Sequence, residues 1–151
     1  MSASGIGLAL VIIYAAGSGI WVSSANSWYQ SQNAPSWQPP DWVFGVIWPY
    51  NFIVLGIAAV LIGQRLSKGQ TITWLAFFAL SIAFALAWAY LFYQPHELVA
   101  AAICLALAAL LTLPVVVMAF SASRAVGIAL IPYQIWVTLA TFLSIGYARL
   151  N

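Results

Sequence analysis

The sequence predicts an all-α integral membrane protein, a single bundle of five transmembrane helices. The first observation is charge. Of 151 residues, 65% are hydrophobic and only six are charged, four Lys or Arg and two Asp or Glu. Soluble domains carry roughly a quarter charged residues, so 4% cannot coat a water-exposed surface. The second is length: the apolar residues fall into five runs, each near the roughly 20 helical residues that cross a hydrocarbon core. The third is continuity. The runs do not alternate apolar with polar residues, which argues against a transmembrane β-barrel.

The first span covers about residues 5–22. No Lys or Arg precedes it and it is too long for a signal-peptide core, so it reads as a retained helix. A polar loop follows over 23–41, where the adjacent Pro39 and Pro40 forbid helix. The second span, about 42–63, contains Pro49, which predicts a kink. After a short turn bearing Arg65 and Lys68, the third span covers about 71–92. Its Ala79, Ala83 and Ala87 form a small-residue stripe that admits a close neighbour. The fourth span, about 97–120, has Glu97 in its first turn, where a carboxylate suits the positive helix end, and Pro114 inside. The fifth, about 125–147, contains Pro132. The later connections are tight turns between antiparallel neighbours, so residues 1–151 read as one domain without repeats.

Charge placement orients the bundle. Arg65, Lys68 and Arg124 share the amino-terminal side, whereas Arg149, Asp41 and Glu97 share the first-loop side. The positive-inside rule then puts the amino terminus in the cytoplasm. A net charge of +2 gives no basic patch for nucleic acid. The lone Cys104 has no internal disulfide partner.

The aromatic distribution carries the functional signal. Of eight Trp, Trp21, Trp28, Trp37, Trp42, Trp48 and Trp88 lie on or near the first-loop side. Trp74 falls at the opposite boundary and Trp136 near mid-membrane. An interfacial belt predicts comparable girdles at both surfaces; an aromatic pocket opening toward the first loop predicts one crowded side. Trp48, six residues into its span, lies roughly 9 Å below the entrance, and Trp88 is at a similar or slightly shallower level. Tyr133, Trp136, Ala140, Ser144 and Tyr147 share one face of the fifth helix, as a packing stripe or as a binding wall.

Catalytic groups are scarce. His96, Glu97 and Asp41 sit at helix starts or turns, Cys104 is mid-span, and no nucleophile has a base with an orienting partner. One His, one Cys and two acids do not make a normal metal site. No metal and no obligatory cofactor are expected. The spans also lack the internal charges of an ion-coupled transporter. Binding of a flat, largely apolar molecule remains, with ring faces to stack on it and indole or phenol groups to orient its polar atoms.

The run Trp28-Tyr29, Pro35-Ser36-Trp37-Gln38-Pro39-Pro40, Trp42-Val43-Phe44-Gly45 and Trp48 resembles the first-loop signature of the translocator protein family. That family is also called the peripheral benzodiazepine receptors or tryptophan-rich sensory proteins. Pro132-Tyr133, Trp136, Ala140-Thr141 and the terminal Arg149-Leu150-Asn151 resemble its fifth-helix signature. The resemblance implies a five-helix bundle, commonly a homodimer, whose first loop covers a cavity for porphyrins, drug-like apolar ligands or, in animals, cholesterol. It implies a wall of Trp48, Trp88, Trp136 and Ala140, and a lid of Trp37, Pro39 and Pro40; our reading adds Tyr133 to the wall and Trp28 to the lid. Leu143, Tyr147 and Arg149 match the family's proposed sterol motif, or else simply anchor a helix end at the interface. The chain departs from the family pattern at Ala34 (usually Lys), Ala85 and Ser144 (usually Asn) and Ile103 (often acidic), which implies fewer polar ligand contacts.

The expected function is a membrane receptor for porphyrins, and for sterol-like or drug-like apolar ligands, with a stress-sensing or ligand-handling role. Expected partners are the ligand, membrane lipid and a second copy of the chain. The alternatives are a carrier moving porphyrin or sterol, a photochemical enzyme degrading porphyrin in light, and a regulatory partner without a small ligand. The expected location is a bacterial cell envelope, or the outer mitochondrial membrane in a eukaryote.

Overall fold

The computed structural model describes residues 2–24 and 26–151. Helix α1 (Ala3–Ser24) leads to a short α2 (Asn26–Gln30), then α3 (Asp41–Arg65), α4 (Lys68–Tyr93), α5 (Leu98–Ala122) and α6 (Arg124–Leu150). All but α2 are long and apolar enough to cross a membrane. Each spanning helix extends beyond its expected apolar run by a residue or more at one or both ends, because polar caps carry the helix past the hydrophobic stretch. Ser67 accepts from the Gln70 N–H while Gln70 reaches back, a capping box that starts α4. Ser123 accepts from the Val126 N–H to start α6. Arg65 donates to the Ala122 carbonyl at 3.2 Å, tying the end of α3 to that of α5.

Two expectations change. The first loop, expected to be irregular from 23 to 41, carries the short helix α2, which ends well before its prolines. Glu97 caps α5 instead of lying in its first turn, and makes no side-chain capping bond. The helices run unbroken through Pro49, Pro114 and Pro132, where kinks are expected. Trp74, near the start of α4, does not face outward. It is fully buried and its indole donates to the Val115 carbonyl at 3.0 Å, joining α4 to α5.

The spanning helices form a closed ring in the order α1, α3, α6, α5, α4 and back to α1. At the end where α1 starts, the interior is filled by Leu55, Ala58, Ile62, Trp74, Phe78 and Leu130, among others. Small residues set the spacing there. A Cβ on Gly7 would lie 2.7 Å from that of Ala59, and one on Gly63 would collide with Ser4, so α1 and α3 touch almost backbone to backbone. The Ala79/Ala83/Ala87 stripe lies toward the outer flank, with Ala83 exposed, while Ala85 and Ala89 face the interior.

Asn51 is wholly buried at mid-span of α3, and its side-chain amide has no hydrogen-bond partner among the described residues. A buried unpaired amide costs about 1–3 kcal/mol. Asn51→Leu, of similar shape, is therefore expected to hold or raise the thermal midpoint in detergent. A fall of several degrees would show that the amide is engaged.

Candidate functional site

At the first-loop end the ring does not close on itself. It surrounds a cavity of about 300 Å³, at the small end of ligand pockets. Trp48 of α3, Trp88 of α4 and Trp136 and Ala140 of α6 line it, as expected from the sequence. The rings are arranged edge to face around the space. Trp48 and Trp136 sit 6.4 Å apart at 89°, and Phe44 meets Trp136 at 5.0 Å and 80°. Phe52 stacks on Trp48 at 5.6 Å. Edge-to-face pairing holds these rings rigidly, and leaves indole faces available to a flat guest.

Polar groups are few and mostly committed. The Trp88 indole donates to Ser144 Oγ at 3.2 Å, so serine at this position still serves as an acceptor for the wall. The Trp136 indole N–H is buried with no partner among the described residues. Over the cavity, Gln38 Oε1 accepts from the Tyr147 hydroxyl at 2.6 Å and from Tyr29 at 3.4 Å.

The lid residues named from the sequence sit differently. Trp37 is 51% exposed, Pro40 is exposed, Pro39 is half-buried, and none borders the cavity. Gln38 between them reaches inward, held by Tyr147, and borders the cavity together with Tyr29 of α2. Trp28 lies outside the cavity too, stacked on the His96 ring at 3.8 Å and edge-on to Phe92. His96 adopts a left-handed φ of 60°, which turns the chain sharply between α4 and α5. The loop is also clasped to the end of α6. The Asn33 N–H donates to Asn151 Oδ1 at 2.8 Å, and Asn151 Nδ2 donates to the Asn33 carbonyl at 3.0 Å. Pro35 is buried against Gly146, where a Cβ would come within 2.6 Å of its ring.

Tyr133 lies away from the cavity, buried in the core where its hydroxyl meets those of Tyr14 and Thr112. The three sterol-motif residues part company: Leu143 and Tyr147 face the internal cavity, whereas Arg149 borders an outer groove between α5 and α6 with Val99 and Ile103. Two turns of helix cannot present them on one face. Ile103 is 58% exposed, so an acidic residue there would also lie outside the cavity. Several lining residues were not anticipated. Phe44 and Phe52 flank Trp48 at four-residue spacing and were legible; Phe92, Tyr93 and the α1 residues Ala15, Ser18, Gly19 and Val22 carried no distinguishing signal. No group of three or more His, Cys, Asp or Glu able to hold a metal occurs among the described residues.

The model of the TspO/MBR family matches residues 6–150. The chain belongs to that family. Relatives within reach of the family include Protein CrtK of Rhodobacter capsulatus, 34% identical over 86% of this chain and 82% of that protein. The tryptophan-rich sensory protein of Cereibacter sphaeroides is 31% identical over 83% of this chain and 78% of its own length. The human translocator protein is 25% identical over 78% and 70%. With its five apolar spans, this TspO/MBR member is an integral multi-pass membrane protein.

Proposed function

We propose that this protein is a membrane receptor for planar, largely apolar ligands of the porphyrin class, with a sensory or ligand-handling role. The observation that carries the reading is the cavity itself, with three indoles and three phenylalanines turned inward at one end of a bundle whose other end is solidly packed. A porphyrin ring stacks on indole faces and loses apolar surface to the wall. Its carboxylates stay toward the headgroups at the first-loop end. The names of the relatives, one of them a tryptophan-rich sensory protein, agree with such a role. The basic turns at the opposite end favour an amino terminus in the cytoplasm.

Titrating the purified protein with protoporphyrin IX while recording tryptophan fluorescence tests the reading. Saturable quenching is expected, since Trp48, Trp88 and Trp136 border the cavity. Fluorescence that falls only linearly, as with free tryptophan, would overturn it.

A further inference from the structure

The cavity has two kinds of wall. Every lining residue from α4 and α6 is buried except Trp88 and Ala140, whereas no lining residue from α1 or α3 is buried. The asymmetry follows from how α1 packs. Its contacts with α3 belong to the packed end: Ser4 donates to the Val60 carbonyl, Gly7 meets Ala59, and Tyr14 meets Trp48 and Phe52 edge-on. Beyond Tyr14, α1 leans on α4 instead, with Gly17 against Leu86 and Trp21 against Tyr90. On the other side of the seam, α3 has no buried residue before Asn51.

On the α1 side the residues along this seam are small. Ala15, Ser18, Gly19 and Val22 lie on one face of α1 at spacings of three, four and seven, and all four border the cavity. A Cβ built on Gly19 meets nothing within 4 Å. Gly45, seven residues before Phe52 and so on the same face of α3, is equally open. The result is a slot along the seam, between helices whose cavity-lining residues are not buried.

The route through the first loop is built differently. The Asn33–Asn151 amide pair, Pro35 seated on Gly146, Tyr147 bonded to Gln38 and Trp28 stacked on His96 fasten the loop at four places. Opening it breaks polar contacts and exposes apolar wall to water. Opening the seam exchanges apolar wall for lipid chains, and the hydrogen bond described between α1 and α3, from Ser4 to the Val60 carbonyl, lies at the packed end. A planar apolar molecule is moreover already concentrated in the bilayer.

We propose that the ligand enters and leaves sideways from the bilayer, edge-on through the slot between α1 and α3, with Gly19 and Gly45 setting the width of the entrance. The inference rests on the ligand reading given above. It also assigns selectivity to the slot: flat molecules pass, bulky three-dimensional ones of equal hydrophobicity do not.

The test uses the full chain in phosphatidylcholine vesicles mixed with vesicles preloaded with protoporphyrin IX, following tryptophan quenching over time and at equilibrium. Gly19→Trp, and separately Gly45→Phe, are expected to slow both association and release by about tenfold or more. A Cβ built on either glycine meets nothing within 4 Å. Asn33→Ala with Asn151→Ala, which loosens the loop, is expected to change both rates less than twofold. Unchanged rates in both glycine variants, or a large acceleration on loosening the loop, would overturn the lateral route while leaving the receptor reading intact. Absence of saturable quenching in the unaltered protein would remove both.

Discussion

Trp48→Ala combined with Trp136→Ala is expected to weaken protoporphyrin binding tenfold or more. The two indoles meet edge to face at 6.4 Å across the cavity, from α3 and α6. Each aromatic pair with the ligand contributes about 0.5–1.5 kcal/mol beyond the area it covers, and about 1.4 kcal/mol is one decade of Kd. Losing both wall faces thus removes at least one decade, and the two single variants are expected to fall between. Direct absorbance titration of the porphyrin band is the right measurement, because the variants lose part of the fluorescence signal. Exposed Trp42, 70% accessible on the outside of α3, supplies the control: Trp42→Ala is expected to leave affinity within twofold. Equal affinities across the double variant, the Trp42 variant and the unaltered protein would remove the cavity from the binding reaction.

The second large effect is on stability. Trp74→Ala is expected to lower the stability of the folded bundle by about 3–5 kcal/mol, the range for deleting a large aromatic from a packed core. Trp74 is completely buried, packs on Phe78 with ring centroids 4.7 Å apart, and donates its indole hydrogen to Val115 across the α4–α5 seam. Its removal leaves a void in the packed interior at that end of the bundle. Equilibrium unfolding in mixed micelles reads the loss, again with Trp42→Ala as the exposed counterpart. A cost below about 1 kcal/mol would show that the packed end tolerates a hole, and would contradict the rigid floor on which the cavity stands.

These two tryptophans show what kind of information a sequence holds. Trp42 and Trp74 have the same chemistry and lie near the start of their spans, yet one faces lipid and the other fills the core. In a span that is apolar all round, hydrophobic periodicity does not mark an inside, because lipid and core are equally apolar. Depth along the helix was legible, and so was the crowding of indoles toward one end. Direction around the helix was not. The same gap explains Tyr133, which shares a face with Trp136 and Ala140 but lies deeper, among Tyr14 and Thr112. It explains the sterol motif as well, since spacing alone could not tell that Tyr147 turns inward and Arg149 outward.

The lid taught a related lesson. Trp37, Pro39 and Pro40 are the conspicuous residues of the first loop, yet the quieter Gln38 borders the cavity with Tyr29, held by Tyr147 more than a hundred positions away. A contact between residues so far apart in the chain leaves no local pattern to read.

The sequence by itself determined the membrane location, the five spans, their order and the family, because those depend on composition, run length and short linear signatures. The tertiary structure alone decided which indoles line the cavity, that Gln38 roofs it, and that α1 parts from α3 on the cavity's lipid side. The physical reason is that water sorts side chains by polarity and so writes its preference into the sequence, whereas a bilayer treats every apolar face alike. Within the membrane, shape and a handful of hydrogen bonds make the choice, and those become visible only once the helices are side by side.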